Sequence, residues 1–347
     1  MPESSPAPGA KPTLRAAAVS AFDRLAPGFA VCAILAMAAM FVTDHYGGPQ
    51  MLYALLFGIA LNFLSTDEKC AAGVAFSART ILKIGVALLG ARITFSEVMS
   101  LGAPVVVLVA CGVVATIAGG AMIGRAFGLK PDHAVLSAGA VAICGASAAL
   151  AISSVLPNHK DSERNTILTV VGVTTMSTLA MMIYPIVARM LGFTETEAGV
   201  FIGATIHDVA QVMGAGYMIS DDAGNTAAIV KLMRVLCLLP AVVVISMVFK
   251  NGGDAPDAAR PPLLPSFLIG FTVLMLANST GLLPAGVSDS LGAASRWCLL
   301  VAVSALGVKT SLKDLAAVGP HPVAALAAQT LFLAAFAVAG IKLIELF

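Results

Sequence analysis

The chain has 347 residues, of which 59% are hydrophobic and 11% charged, with a mean hydropathy of +0.94 and a formal net charge of +1. Soluble globular domains carry about 45–50% apolar and about 25% charged residues, so this composition excludes a water-soluble enzyme and a disordered protein. The near-neutral balance leaves no electrostatic footprint for a polyanion, so no nucleic-acid partner is expected.

Residues 1–26 read as a disordered cytoplasmic tail, punctuated by Pro2, Pro6, Pro8, Gly9 and Pro12. A transmembrane domain is expected over 27–347. Its apolar runs are continuous for about 17–25 residues instead of alternating over about 10, which favours helices over a barrel. Eleven segments follow, at about 27–43, 49–65, 71–91, 102–124, 132–156, 165–191, 197–219, 226–249, 263–279, 287–308 and 319–345. The expected fold is therefore an all-α polytopic membrane protein with about eleven transmembrane helices. Lys250–Pro262, rich in Pro, Gly and Asp, reads as a linker between two halves. The six cysteines form no CxxC or Cys/His pair, so disulfide, metal and cofactor are not expected.

With the amino terminus inside, Lys11, Arg15, Arg24, Lys69, Arg125, Lys130, Arg189, Lys250, Arg260, Lys309 and Lys313 fall on the cytoplasmic side. Arg92, Lys160, Arg164 and Lys342 fall on the other. The excess of cations on one side predicts a cytoplasmic amino terminus and, with eleven spans, an outside carboxyl terminus.

Arg79–Gly102 and Arg296–Gly319 echo each other at a shift of 217 residues. Arg79/Arg296, Leu82/Leu299, Val86/Val303, Leu89/Leu306, Gly90/Gly307 and Gly102/Gly319 are identical, and Arg92/Lys309 is conservative. The copies are spans three and ten, an odd separation. Opposite orientations follow, which is the inverted repeat common in secondary transporters.

Five cations lie inside apolar segments: Arg79, Lys83, Lys231, Arg234 and Arg296. The clearly intramembrane acid is Asp208. Either the cations snorkel to the interface or they line a wet cavity that holds an anion. The second reading is preferred, because an ionisable residue inside a span is a functional candidate by default; a sulfate would fit two of these cations, not five, so some are structural.

Two segments read as interrupted helices. Ser137–Ser154 is built of small residues around Cys144, Gly145 and Ser147. Gly203–Gly216 carries His207, Asp208 and Gln211. A half-helix amino terminus supplies free N–H donors and about half a positive charge to an anion. His207 titrates near neutrality and could carry a coupling proton, while Asp208 and Gln211 could orient the site. The alternative is close helix packing with a structural Asp208–cation bridge.

Four stretches then carry a family resemblance: GVALLGARI (85–93), AICGASAAL (142–150), GATIHDVAQVMGAG (203–216) and KLMRV (231–235). In this order they resemble the sulfate exporter family of YeiH-like membrane proteins. That family is similar to the bile-acid symporter and cation/proton antiporter superfamily. The resemblance implies inverted repeats, broken crossing helices, and a scaffold lobe and a core lobe that move against each other. It also implies export of sulfate or a related sulfur oxyanion across the inner membrane. No stretch at the 217-residue shift matches AICGASAAL. Either GATIHDVAQV stands outside the symmetric pair or the segment limits are displaced.

The leading function is a secondary transporter for a small inorganic or organic anion, ion- or proton-coupled. Its expected binding residues are Cys144, Gly145, Ser147, Lys231, Arg234, Arg79, Lys83 and Arg296, with His207, Asp208 and Gln211 coupling or orienting. The expected partners are that anion and the lipid bilayer, with homo-oligomerisation left open. A cation-coupled uptake system and a passive channel are alternatives. An intramembrane hydrolase would need a Ser147–His207 pair, but GASAA is not GxSxG. No GxxxxGK[ST] occurs, so ATP-driven transport is not expected.

Overall fold

A computed structural model describes residues 14–157, 160–249, 266–310 and 320–345. The expected linker at 250–262, residues 1–13 and the echo beyond Thr310 lie outside the described residues. Helix α1 (Leu14–Tyr46) begins inside the expected tail. Residues 14–26 contain no Pro or Gly and several Ala, so helix propensity extends the first span toward the chain start.

In chain order α1 is followed by α2 (Gln50–Ala60), α3 (Ala71–Phe76), a π-helical turn (Ser77–Ile81), α4 (Leu82–Leu89) and α5 (Phe95–Ser100). Next come α6 (Gly102–Ala126), α7 (Pro131–Ala142), α8 (Ala146–Ser153), α9 (Ser162–Met190), α10 (Glu195–Thr205) and α11 (Val209–Tyr217). The series ends with α12 (Asp221–Leu236), α13 (Leu238–Val248), α14 (Ser266–Ser279), α15 (Ala285–Lys309) and α16 (Pro320–Ile344).

Among the described residues, seven helical stretches are long and apolar enough to cross a membrane: α1 from Asp23, α3–α4, α6, α9, α12–α13, α15, and α16 from Pro322. Among the other expected segments, α2 and α14 are shorter apolar helices. The remaining two are the interrupted pairs α7–α8 and α10–α11.

Each interrupted pair is broken where the sequence suggests, but its second arm folds back along the first. In α10–α11, a Cβ on Gly199 would lie 2.7 Å from the Ala223 carbonyl oxygen and one on Gly216 3.2 Å from the same atom. At the base of this pair, Ser220 Oγ donates to Glu195 Oε2 at 2.9 Å. In α7–α8, Gly139 meets the side chain of Ile152. A straight helix at about 1.5 Å per residue would hold those two nearly 20 Å apart. Both pairs are therefore re-entrant helical hairpins. Irregular backbone at membrane depth is tolerable where it is buried in protein or lines a water-filled cavity.

Local sequence explains both tips. Gly145 has φ +64° and ψ −124°, a conformation close to glycine-only, and it turns the chain between α7 and α8. In the second hairpin Ile206 is extended and Asp208 caps α11, its Oδ1 accepting the Ala210 N–H at 2.8 Å. The entry to α10 is a capping box, Thr194 with Glu197, and Pro131 opens α7 at its first turn.

Helices α1, α2, α3–α4, α14 and α15 form one bundle. Helices α6 to α12 and α16 form the other, and α11 packs across onto α15 and α2. The boundary does not follow the two halves of the chain. We call the face at which α6 ends and α9 begins the near face, and its opposite the far face. The α7–α8 hairpin enters from the near face and α10–α11 from the far face.

The inverted repeat is visible in the packing. Helices α4 and α15 are antiparallel: Gly85 meets Leu299, and Ser288 Oγ donates to the Ala91 carbonyl at 2.6 Å. Gly90 admits the backbone of α14 at Phe271, and its echo Gly307 admits the backbone of α2 at Leu55. Under the 217-residue shift Leu55 and Phe271 coincide to within one residue. So α2 corresponds to α14, and α3–α4 to α15. Helices α6 and α16 are antiparallel as well, with Gly112 against Phe336 and Gly340 against Leu108.

The hairpins obey a different shift. Residues 143–145 map onto 206–208 when moved by 63. The first repeat thus runs α2, α3–α4, α6, hairpin, α9. The second runs hairpin, α12–α13, α14, α15, α16. It is circularly permuted, and this resolves the absence of an AICGASAAL match at 217: the counterpart is GATIHDVAQV itself.

Candidate functional site

The carboxyl-terminal ends of α7 and α10 meet head to head between the bundles' helices. A helix end leaves carbonyls without intrahelical partners and carries about half a negative charge. Lys231 and Arg234, one turn apart on α12, occupy the space between these ends. They are 0% and 1% exposed. Lys231 Nζ donates to the carbonyls of Ile143 (2.7 Å) and Ile206 (2.9 Å). Arg234 Nε donates to Ala142 (3.0 Å), and its Nη2 to Val141 and Ala142, both at 2.8 Å. Its Nη1 donates to Gly203 (3.1 Å) and Ile206 (2.9 Å).

Snorkelling is thereby overturned for this pair. The charges are offset by backbone carbonyls that no residue pattern reveals. The guanidinium's donors are all engaged, whereas a Lys ammonium has three and two are used. The helix ends nearly cancel: two carboxyl-terminal ends face two amino-terminal ends, at about half a charge each. Against the two cations stands Asp208, within electrostatic reach of Lys231. Of the five cations that the sequence places inside spans, these two are buried at the tips, while Arg79, Lys83 and Arg296 are exposed.

The other three expected cations are not in this cluster. Arg79, Lys83 and Arg296 are exposed. Arg79 sits in the π-helical turn, a feature often retained at functional sites. Lys309, which the sequence assigns to a cytoplasmic loop, lies within electrostatic reach of both Arg79 and Asp208. Its place beside these charges is not legible in the sequence because it ends a span. Arg296 instead pairs with Asp221 at 2.6 Å. Lys83 stands apart on α4.

His207 is 0% exposed. Its Nδ1 faces the Val141 carbonyl at 3.1 Å and its Nε2 faces Thr330 Oγ1 at 3.0 Å. A carbonyl only accepts, so Nδ1 carries a proton and donates to it. The ring is a strut between the hairpins and α16. Both nitrogens are committed away from Ser147, so the hydrolase pair is not formed.

Asp208 is half-buried and makes no ion pair within 4.0 Å among the described residues, so the expected structural Asp208–cation bridge is absent. Ser177 Oγ of α9 accepts the N–H groups of His207 (3.2 Å) and Asp208 (3.0 Å). Gln211 Nε2 donates to Thr178 Oγ1 at 2.7 Å, while its buried Oε1 has no partner among the described residues. Ser177, Thr178 and Thr330 were not legible, since isolated hydroxyls in spans usually bond their own helix.

Cys144 is 7% exposed and Gly145 is buried, so neither presents a side chain to a solute. Ser147 is exposed and Ala146 half-exposed at the start of α8, whose cap, Gly145, offers no side-chain bond. The open part of the tips is therefore Ala146, Ser147 and Asp208, with Lys309 of the other bundle within electrostatic reach of Asp208. Charge, free backbone donors and a hydroxyl suit a small oxyanion.

Comparison with known proteins agrees with a membrane protein of this kind. The family model described as Conserved hypothetical protein 698 matches residues 27–326. The UPF0324 membrane protein TauZ of Paracoccus denitrificans is 51% identical over 321 residues, covering 92% of this chain and 95% of that one. A UPF0324 membrane protein of Chlorobaculum tepidum is 49% identical over 315 residues, covering 90% and 88%. One of Corynebacterium glutamicum is 31% identical over 328 residues, covering 93% and 94%. No solved structure matches the chain.

Proposed function

Because the chain belongs to the UPF0324 membrane protein family, we propose that it is a secondary transporter for a small sulfur oxyanion or sulfonate. The observation that carries this reading is the meeting of two opposed hairpin tips over the buried Lys231 and Arg234, beside an uncapped helix start that is exposed at Ser147. An enzyme has no evident use for hairpins entering from opposite faces. A carrier does: each face has one gate, and the ligand sits where the tips meet. The bundle holding both hairpins would move as the core lobe against the α1–α4 and α14–α15 scaffold.

Orientation follows from the hairpins. Because they return to the face they enter, Lys160 and Arg164 fall on the near face and Arg189 on the far face. Arg15, Arg24, Lys69, Arg125, Lys130, Lys160, Arg164 and Lys309 then stand at the near face, against Arg92, Arg189 and Lys342. That asymmetry favours a cytoplasmic near face and amino terminus, with the carboxyl terminus outside, in the bacterial inner membrane. Export is the proposed direction, with a proton or cation gradient as the driving force.

The test is flux from liposomes loaded with labelled sulfate, sulfite, thiosulfate or taurine, with and without a pH gradient. A saturable efflux, accelerated by the gradient, is expected for at least one of them. Flux linear in concentration and indifferent to any counter-ion would show a channel, and none at all would remove the transport reading.

A further inference from the structure

The permuted repeat pairs charges as well as helices. Arg79 echoes Arg296, and Arg92 echoes Lys309. Antiparallel packing of α4 on α15 then makes two equivalent two-cation stations. Arg79 and Lys309 form one station, with Lys309 within electrostatic reach of Asp208. Arg92 and Arg296 form the other, toward the far face, and line a cavity of about 480 Å³ together with Gln50, Trp297, Asp44 and Asp289.

At that far station a carboxylate from the opposite bundle is already in place. Asp221, in the first turn of α12, holds Arg296 Nη2 at 2.6 Å and lies 4.0 Å from Arg92 Nη1. Its side chain is 51% exposed, and those of Arg92 and Arg296 are 34% and 48% exposed. Half-exposed pairs of this kind hold weakly and exchange with solvent anions. The helix that bears Asp221 also bears Lys231 and Arg234 ten and thirteen residues on.

We propose that the Arg92/Arg296 cavity is a second docking site for a small monoanionic oxyanion, such as a sulfonate, which binds by displacing the Asp221 carboxylate. The incoming anion takes over the contacts of Asp221 to Arg92 and Arg296, so both guanidiniums stay paired while the half-exposed Asp221 carboxylate turns to solvent. Displacement breaks an ion-pair contact between the bundles, so occupancy of the far station frees the core bundle to move. The proposal rests on the transport reading and supplies its far-face gate.

Trp297, the single tryptophan of the chain, lines the cavity and reports on it directly. The experiment is a titration of the full chain in lipid nanodiscs with methanesulfonate, followed by Trp297 fluorescence, with chloride at equal ionic strength as control. A saturable change with methanesulfonate and little with chloride is expected. Asp221→Asn should tighten the apparent Kd at least fivefold, because the internal competitor is gone. The double variant Arg92→Gln/Arg296→Gln should weaken it more than tenfold, with Arg296→Lys intermediate. Equal responses to chloride, or an affinity unmoved by Asp221→Asn, would overturn the proposal even if the arginine variants failed to fold. Flux of wild-type protein in liposomes separates the two readings. Intact flux with no Trp297 response discards the far station alone, whereas absent flux discards the transport proposal.

Discussion

Replacing Arg234 by Ala is expected to cost about 3–5 kcal/mol, the range for removing one partner from a buried charged cluster. The carbonyls of Val141, Ala142, Gly203 and Ile206 would lose their donors at a buried junction of two helix ends. Each buried acceptor left unmade costs about 1–3 kcal/mol, less where water can enter. In detergent the apparent Tm should fall by on the order of 10 °C at a few degrees per kcal/mol. Arg234→Lys should recover part of this, since a charge returns without the planar fork that spans both hairpins. Lys83→Gln is the control: Lys83 is exposed and its loss should leave Tm within about 1 °C, given that surface changes fall within about 0.5 kcal/mol. An Arg234→Ala protein as stable as wild type would mean that the carbonyl cage is not what holds the tips together.

The second large effect concerns transport without stability. Arg79 and Lys309 are exposed, so Arg79→Gln and Lys309→Gln should leave Tm within about 1 °C. Lys309 lies within electrostatic reach of both Arg79 and the half-buried Asp208. Each variant is expected to lower sulfate flux at least tenfold, mainly by raising KM, because a charge-assisted contact to an oxyanion contributes about 1.5–3 kcal/mol. The double variant should fall less than the product of the two single losses if both cations touch the same anion. Wild-type flux in both single variants would place the ligand elsewhere.

Hydropathy alone reveals an all-helical membrane protein, because a run such as 102–126 can be nothing else at that length. Hydropathy cannot distinguish a re-entrant hairpin from a crossing. Residues 132–156 have the length of a span, and only the turn at Gly145 sends α8 back. The repeat was legible where close packing demands glycine, at Gly90 and Gly307. At the hairpins the same symmetry survives in backbone geometry, while at the tips only Ile143 and Ile206 coincide. Lys231 and Arg234 stood out as misplaced charges. Their partners are peptide carbonyls, which every sequence has and no pattern marks. Lys309 escaped notice for the opposite reason: a lysine ending a helix looks ordinary until the fold brings Asp208 beside it.

The most direct measurement is alkylation of Ser147→Cys in a chain whose native cysteines are replaced, reconstituted in liposomes, with and without sulfate. Ser147 is the exposed residue of the α8 start. A membrane-impermeant thiol reagent should label it from the near face, and saturating sulfate should slow the labelling several-fold, with no protection by choline. Labelling that sulfate leaves untouched, in protein that carries sulfate flux, would show that the hairpin tips are not where the anion binds.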